Sequence, residues 1–252
     1  MITKEKSIEM YENDLGLKKY INAIETIQLW ESEKIIIEKY IKYNSKILDL
    51  GCGAGRRRTT FSLYKMGYKN IIGLDLSTKL INYAINYNRQ HNYDIKFISG
   101  DSCELPFEKE TFDFIFYSFN GLQLIPGRQN RIKALKETYR VLKSDGYFIF
   151  TAHDREEEKY KNYWDNERKK WDLNQQDKDL EIFGDVIIKD NNGTGFIHYS
   201  SIEEINNMIK ENTKYKIIKL FKRSDICEEN EKIKEFSSDT NFWILQKIKY
   251  LK

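Results

Sequence analysis

The chain is short of the residues that punctuate or cross-link a fold. It has two prolines in 252 residues, so no Pro-rich linker divides it. Three cysteines, Cys52, Cys103 and Cys227, are scattered and odd in number. They form neither a disulfide framework nor a zinc spacing; a reducing cytoplasm is the simplest setting, and no metal is expected. No apolar run approaches the roughly 18 residues of a membrane span, so no membrane partner is expected. The opening "MITKEKSIEMYEND" lacks the apolar core of a signal peptide. No internal repeat or long low-complexity tract occurs. A dominant charge is missing too: 42 basic residues against 39 acidic leave +3. That weighs against a nucleic-acid binder, which usually carries a clustered basic surface. Apolar residues at 40% suffice to build a core in one large domain or two small ones.

Hydrophobic patterning supplies the elements. Residues 21–43 predict one amphipathic helix, with Ile24, Ile27, Trp30, Ile37 and Ile41 at helical spacing. The polar segment 1–20 before it predicts a short helix or a mobile arm. From Lys46 strand and helix alternate: strand 47–50, helix 56–66 ended by Gly67, strand 70–74, a helix from Thr78 to about Arg89 capped by Ser77, and strand 95–99. Strand 112–119, helix 128–142, the turn "SDG" at 144–146 and the strand "YFIFTA" follow. This alternation implies parallel pairing with right-handed crossovers, hence an open, doubly wound α/β sheet with helices on both faces. After Ala152 the texture changes. Residues 154–181 are highly charged, with Tyr160, Tyr163, Trp164 and Trp171 interleaved, and "DVIIKDNNGTGFIHYS" reads as a β-hairpin turning at Asn192-Gly193. A helix at 202–211 and strands near 215–222 and 241–248 complete the chain. Segment 154–200 is an insertion before the last strands, without a core of its own.

The stretch "ILDLGCGAGRRR" carries the first chemical signal. A P-loop needs Lys-Ser or Lys-Thr after its glycines, and none is present. The dinucleotide fingerprint needs G-x-G-x-x-G, but Gly51, Gly53 and Gly55 are spaced G-x-G-x-G and residue 56 is arginine. An acid, Asp49, precedes the loop inside its strand, where loop amides or a ligand ammonium acting through water would satisfy it. Asp75 ends the second strand, near the distance at which an acid meets a ribose diol. Asp101 follows the third strand. All three lie at the carboxyl ends of neighbouring strands, where an open α/β sheet binds ligands.

The segments "ILDLGCGAGR", "GLDLS", "GDSCELPFEKETFDFIF" and "RVLKSDGYFIF" resemble, in order, the motifs of class I S-adenosylmethionine (SAM)-dependent methyltransferases over about residues 45–152. The resemblance implies a mostly parallel seven-stranded Rossmann-like sheet whose last strand is antiparallel, with SAM across the strand ends and S-adenosylhomocysteine as product. It implies one domain: an N-terminal helical cap (1–44), a SAM-binding core (45–153), a helix-plus-hairpin insertion on the substrate side (154–200), and a C-terminal helix with the last strands (201–252). By position, Asp49, Gly51, Cys52, Gly53 and Gly55 flank the methionine part of SAM. Asp75, with Leu76 beside it, meets the ribose. Asp101 meets the adenine amino group, with Ser102 and Cys103 alongside, while Ser118 and Asn120 approach the transfer site. SAM is cationic at sulfur and has no phosphate, which suits a carboxylate-rich pocket.

Other residues carry open alternatives. Cations at a helix N-terminus oppose its dipole, so one of Arg56, Arg57 and Arg58 either pairs with the SAM carboxylate or belongs to a solvated face. His153, Asn120 and Tyr11 are the candidates for catalysis. His198 either lines a substrate pocket or packs within the hairpin. Tyr11, Tyr20 and Trp30 form part of a lid or belong to the core. The aromatics at 160–171 stack a flat substrate or pack a helix. Cys103 has no neighbouring histidine to activate it as a nucleophile. "FNGL" at 119–122 lacks the prolines of the motif that base-amino methylating DNA enzymes carry at this place. Transfer from a sulfonium releases a neutral thioether, so orientation can carry catalysis, and a base is needed only where the acceptor must lose a proton. The leading expectation is a methyltransferase acting on a small molecule, as monomer or homodimer. Segment 125–143 is similar to one in wobble-uridine tRNA methyltransferase relatives, which keeps tRNA as an alternative acceptor. A non-catalytic SAM-binding protein and a nicotinamide oxidoreductase are the readings from other classes.

Overall fold

The computed structural model describes residues 2–13, 29–55, 59–190 and 193–249, without the side chains of Tyr11, Asp190 and Phe236. Expectations that fall on the Tyr11 side chain, Tyr20, residues 21–28, Arg56, Arg57, Arg58 and Asn192 lie outside the described residues.

Seven strands form one sheet: β1 (Ile47–Leu50), β2 (Ile71–Asp75), β3 (Lys96–Ser99), β4 (Phe112–Tyr117), β5 (Leu142–Ala152), β8 (Tyr215–Lys222) and β9 (Asn241–Lys247). Their spatial order is β3-β2-β1-β4-β5-β9-β8. Pairing is parallel from β3 to β5, and β9 runs antiparallel to both β5 and β8. Register fixes the mouth of the sheet: Leu50 lies opposite Leu74, Asp75 opposite Ser99, and Tyr117 opposite Phe150. Strand β1 is buried along its whole length between β2 and β4, which is why "ILDL" reads as a nearly unbroken apolar run.

Alternate residues of each strand feed opposite faces of the sheet. Leu48, Leu50, Phe148, Phe150, Trp243 and Leu245 share one core with buried residues of α5 (Arg128–Val141) and α7 (Ile202–Asn212). Ile47, Phe114, Phe116, Ile149, Phe242 and Ile244 share the other with α2 (Glu31–Tyr40) and α3 (Thr59–Lys65). Helix α4 (Thr78–Gln90) starts as its cap residue dictates: the Ser77 hydroxyl accepts the Leu80 amide at 3.2 Å, satisfying one of the first-turn donors.

The insertion consists of α6 (Lys161–Asp172) and the antiparallel hairpin β6 (Asp185–Asp190) and β7 (Gly193–His198). The N-terminal helix α1 (Lys4–Glu12) packs on that hairpin, with Ile2 and Met10 against Phe196 and Ile187. The Ile2 amide donates to the Asp179 carbonyl at 3.1 Å.

Several element bounds differ from the sequence pattern. Trp30 and Ile41 are the caps of α2, not members of its apolar stripe, because both have extended backbone. Strand β4 stops at Tyr117 because Phe119 and Asn120 turn into the left-handed region, at φ of 55° and 59°. "SDG" does not separate α5 from β5. It forms an irregularity inside the longer strand, which pairs Leu142 with Phe112 and then Tyr147 with Phe114, with Asp145 at φ 64°. The described part of α3 starts at Thr59. A 3₁₀ turn at 223–225 and α8 (Glu231–Phe236) precede β9, where no element is expected from periodicity.

Candidate active site

The glycine turn is built against Leu74 and Asp75 at the end of β2. The Gly51 and Cys52 amides donate to the Leu74 carbonyl at 2.8 and 3.0 Å. Gly51 has φ +69°, and a Cβ there would stand 2.7 Å from the Tyr117 ring, so both backbone and space demand glycine. Gly53 has φ +56°, but a Cβ built there meets nothing within 4 Å. The turn is therefore closed beneath Gly51 and open above Gly53, which leaves room for a ligand against the loop backbone.

The three acids are held differently. Asp49 is 2% exposed, and the Thr60 hydroxyl of α3 donates to its Oδ2 at 2.5 Å, tying the strand to the helix after the loop. Asp75 bridges the loop to α4: its Oδ2 accepts the Gly53 amide at 2.7 Å and its Oδ1 the Ser77 amide at 2.9 Å. Burial pushes the Asp75 carboxyl above its ordinary value, against the pull of these amide bonds. An ionised carboxylate has about four acceptor positions, so roughly two stay available for a vicinal diol. Leu76, beside it, is half-buried. Asp101 accepts the Cys103 amide on Oδ1 at 2.8 Å and pairs with Lys4 of α1 through Oδ2 at 2.7 Å. Burial raises its pKa, but the Lys4 and Cys103 bonds outweigh it and hold the carboxyl below the usual range.

Helix α1 crosses over two of these acid loops. Besides Lys4 on Asp101, Glu12 Oε1 accepts the Ser77 hydroxyl at 2.8 Å, and Lys79 Nζ donates to the Glu12 carbonyl at 2.9 Å. At its other flank Lys6 pairs with Asp179 of the insertion. Both thiols near the site are held toward the protonated form: burial and then the Asp101 charge push Cys103 up to about 12, and burial with Asp75 and Asp49 pushes Cys52 well above its ordinary value.

One strand over, the ends of β4 and β5 meet. The Ser118 and Thr59 hydroxyls lie 3.5 Å apart. Asn120, 8% exposed, donates its amide to the Thr151 hydroxyl and accepts the Thr240 hydroxyl on Oδ1, both at 2.9 Å. Its left-handed backbone is thus tied to β5 through Thr151, and its side chain to the residue just before β9. The buried side-chain amide of Gln123 clamps the His153 backbone, accepting its N–H at 2.8 Å and donating to its carbonyl at 2.9 Å. Trp30, 1% exposed, packs against Phe119 with the rings tilted at 58° and 4.7 Å apart, and lies under the Arg223 guanidinium, a core position.

Behind this wall lies a charge network that motif reading missed. His198 is fully buried, with Nδ1 2.8 Å from Asp185 and Nε2 2.8 Å from Glu204. Arg155 donates to Glu204 at 2.6 Å and to the Tyr199 carbonyl at 3.1 Å. Burial raises the Glu204 pKa, but His198 and Arg155 overcome it and hold the carboxyl at about 2. His198 thus joins the hairpin to α7, with both ring nitrogens engaged. Of the insertion aromatics, Trp164 is buried against Phe183 and Tyr199, which is helix packing.

An α/β sheet of this order, with acids on three adjacent strand ends around a glycine turn, defines a Rossmann-like domain. Residues 47–146 match the family model described as a methyltransferase domain. That match takes in the sheet from β1 into β5 and leaves the insertion and the last two strands outside it. The demethylmenaquinone methyltransferase of Staphylococcus haemolyticus is 30% identical over 149 residues, covering 58% of this chain and 60% of that one. The chain spans between 53% and 61% of the length of the first three curated relatives it matches. A SAM-dependent methyltransferase from Methanosarcina mazei superposes with a TM-score of 0.69 at 20% identity, over 89% of this chain and all of that one. The [4+2]-cyclase SpnF superposes with a TM-score of 0.67 at 15% identity, over 98% and 97%. These two likenesses establish the fold.

Proposed function

We propose that the chain is a SAM-dependent methyltransferase acting on a small-molecule acceptor. The fold alone does not carry this reading, since one of its neighbours is a cyclase by name. What carries it is Asp75, bonded to the Gly53 amide beside open space and keeping acceptor positions for a ribose diol. In this reading Asp101, with Ser102 and Cys103, takes the adenine amino group, while Asp49, Gly51, Gly53, Gly55 and Ser118 surround the methionine end. Bound SAM supplies an activated methyl group on a sulfonium, which the surrounding carboxylates favour electrostatically. Asn120 and Gln123 hold the ends of β4 and β5 in one geometry, so the protein's share of catalysis is orientation and exclusion of water. Helix α1 and the insertion at 154–200 cover the substrate side of a single domain. The relatives named demethylmenaquinone methyltransferase support a small acceptor, and a net charge of +3 weighs against a polyanion such as tRNA.

The test is acceptor-dependent formation of S-adenosylhomocysteine by the full chain, with phenols, quinols and tRNA assayed side by side. Product with a small molecule is expected. SAM binding with no product from any acceptor contradicts the enzymatic reading, and product with tRNA alone moves the acceptor to nucleic acid.

A further inference from the structure

His153 stands one residue beyond β5, between the end of β4 and the insertion, and its ring is held in one protonation pattern. Its Nδ1 lies 3.3 Å from the Asp239 carbonyl oxygen. A carbonyl only accepts, so Nδ1 carries the proton and Nε2 presents its lone pair. Among the described residues no hydrogen bond reaches Nε2. The backbone on which the ring hangs is fixed twice by Gln123. A surface histidine needs none of this support; a proton acceptor does, because the lone pair has to meet the acceptor atom at a set distance and angle.

The surroundings favour the neutral ring. Burial lowers the His153 pKa below the ordinary histidine value, and the bond to Asp239 and the Glu157 carboxylate oppose this while Lys159 and Arg223 reinforce it. Lys159 and Lys222 both pair with Glu157 through Oε2, at 3.2 and 3.5 Å, which mutes its charge. The wall is also aromatic. Tyr199 of the insertion faces the imidazole at a ring distance of 5.6 Å and is backed by Trp164.

We propose that His153 is the proton acceptor of the reaction and that the acceptor substrate is an aromatic hydroxyl. This rests on the methyl-transfer reading above. The hydroxyl proton passes to Nε2, the oxygen forms the new O–CH3 bond as the donor's S–CH3 bond breaks, and that bond's electron pair stays on sulfur. The imidazolium then releases its proton to solvent.

Two measurements on the full chain test this. Nitrogen NMR of histidine-labelled protein should show one of the three histidines locked as the Nδ1–H tautomer at pH 7 and lost in His153→Asn. An Nε2–H tautomer or a protonated ring for His153 at that pH overturns the proposal without reference to activity. The second compares 4-nitrophenol, acidic enough to ionise unaided, with 4-methoxyphenol. His153→Asn keeps a donor for the Asp239 carbonyl but has no base. It should lower kcat for 4-methoxyphenol about 100-fold, remove the acid limb of its pH profile, and change 4-nitrophenol by less than about threefold. Equal losses on both phenols overturn the proton-acceptor role, and wild-type protein that binds SAM yet methylates neither phenol overturns the hydroxyl class. Wild-type protein that does not bind SAM overturns the underlying methyltransferase reading instead, and leaves the tautomer result standing.

Discussion

The two sides of the strand ends are built on different terms. On the cofactor side, from β1 to β3, nearly every contact is local in the sheet: a glycine turn whose amides reach the next strand, and an aspartate whose two oxygens bridge the turn to the next helix. On the insertion side, buried charges from four separate segments close on one another through His198, and α1 reaches from that side across to Asp101 and Ser77. The first side stands on backbone geometry that any ligand-binding turn of this kind requires. The second stands on long-range pairing, and its failure should leave the first intact.

The largest expected effect separates them. His198→Ala leaves the buried Asp185 and the largely buried Glu204 without their shared partner, and should cost about 3–5 kcal/mol by chemical denaturation while SAM affinity survives. Acid should act on the same network. Glu204 sits at about 2 in the fold, so its contribution is complete above the ordinary glutamate range and is lost as pH falls toward about 2. Wild-type protein should therefore show an acid-induced loosening of the insertion that His198→Ala shifts to higher pH. Equal acid sensitivity in both proteins would contradict this part of the account.

A smaller effect belongs to the cofactor side. Thr60→Val removes the hydroxyl that bonds the buried Asp49 and should lower stability by about 2 kcal/mol. SAM affinity should fall along with it, because α3 and the glycine turn meet at that bond. Loss of stability with unchanged affinity would separate Asp49 from the ligand side of the turn. Smallest is the link between the two regions. Lys4 is 48% exposed, so Lys4→Ala should cost under about 1 kcal/mol, and its effect should shrink further at high salt. A larger loss would mean that α1 is a structural part of the cofactor side.

This contrast also sets what could be read in the sequence. The seven strands, the cap at Ser77 and the three acids follow from short-range rules: period-two apolar runs, a cap residue before a periodic helix, and acids at strand ends. The early stop of β4 was hidden because Phe119 continues the apolar pattern while its backbone turns left-handed. The extension of β5 through "SDG" was hidden because those residues signal a turn and the structure uses them as an irregularity within a strand. At His198 the hairpin-packing alternative agrees with the structure, but its charged partners were not expected. The expected turn at Asn192-Gly193 would have put Ser200 opposite Asp185; instead Gly193 already belongs to β7 and pairs with Asp190, so the register brings His198 to Asp185 and counting would have missed the pair. Arg155 and Glu204 had no signal, since neither spacing nor periodicity relates them to the hairpin. The contact of Lys4 with Asp101 likewise depends on where a whole helix docks.

The central claim is that the glycine turn with Asp75 holds a phosphate-free nucleoside. Calorimetric titration of SAM into wild-type protein and Asp75→Ala tests it most directly. The account predicts one site per chain in the wild type and an affinity about 100-fold weaker in the variant, since two hydroxyl bonds to a charged group are lost. Equal affinity in the two proteins, with both folded, would contradict it.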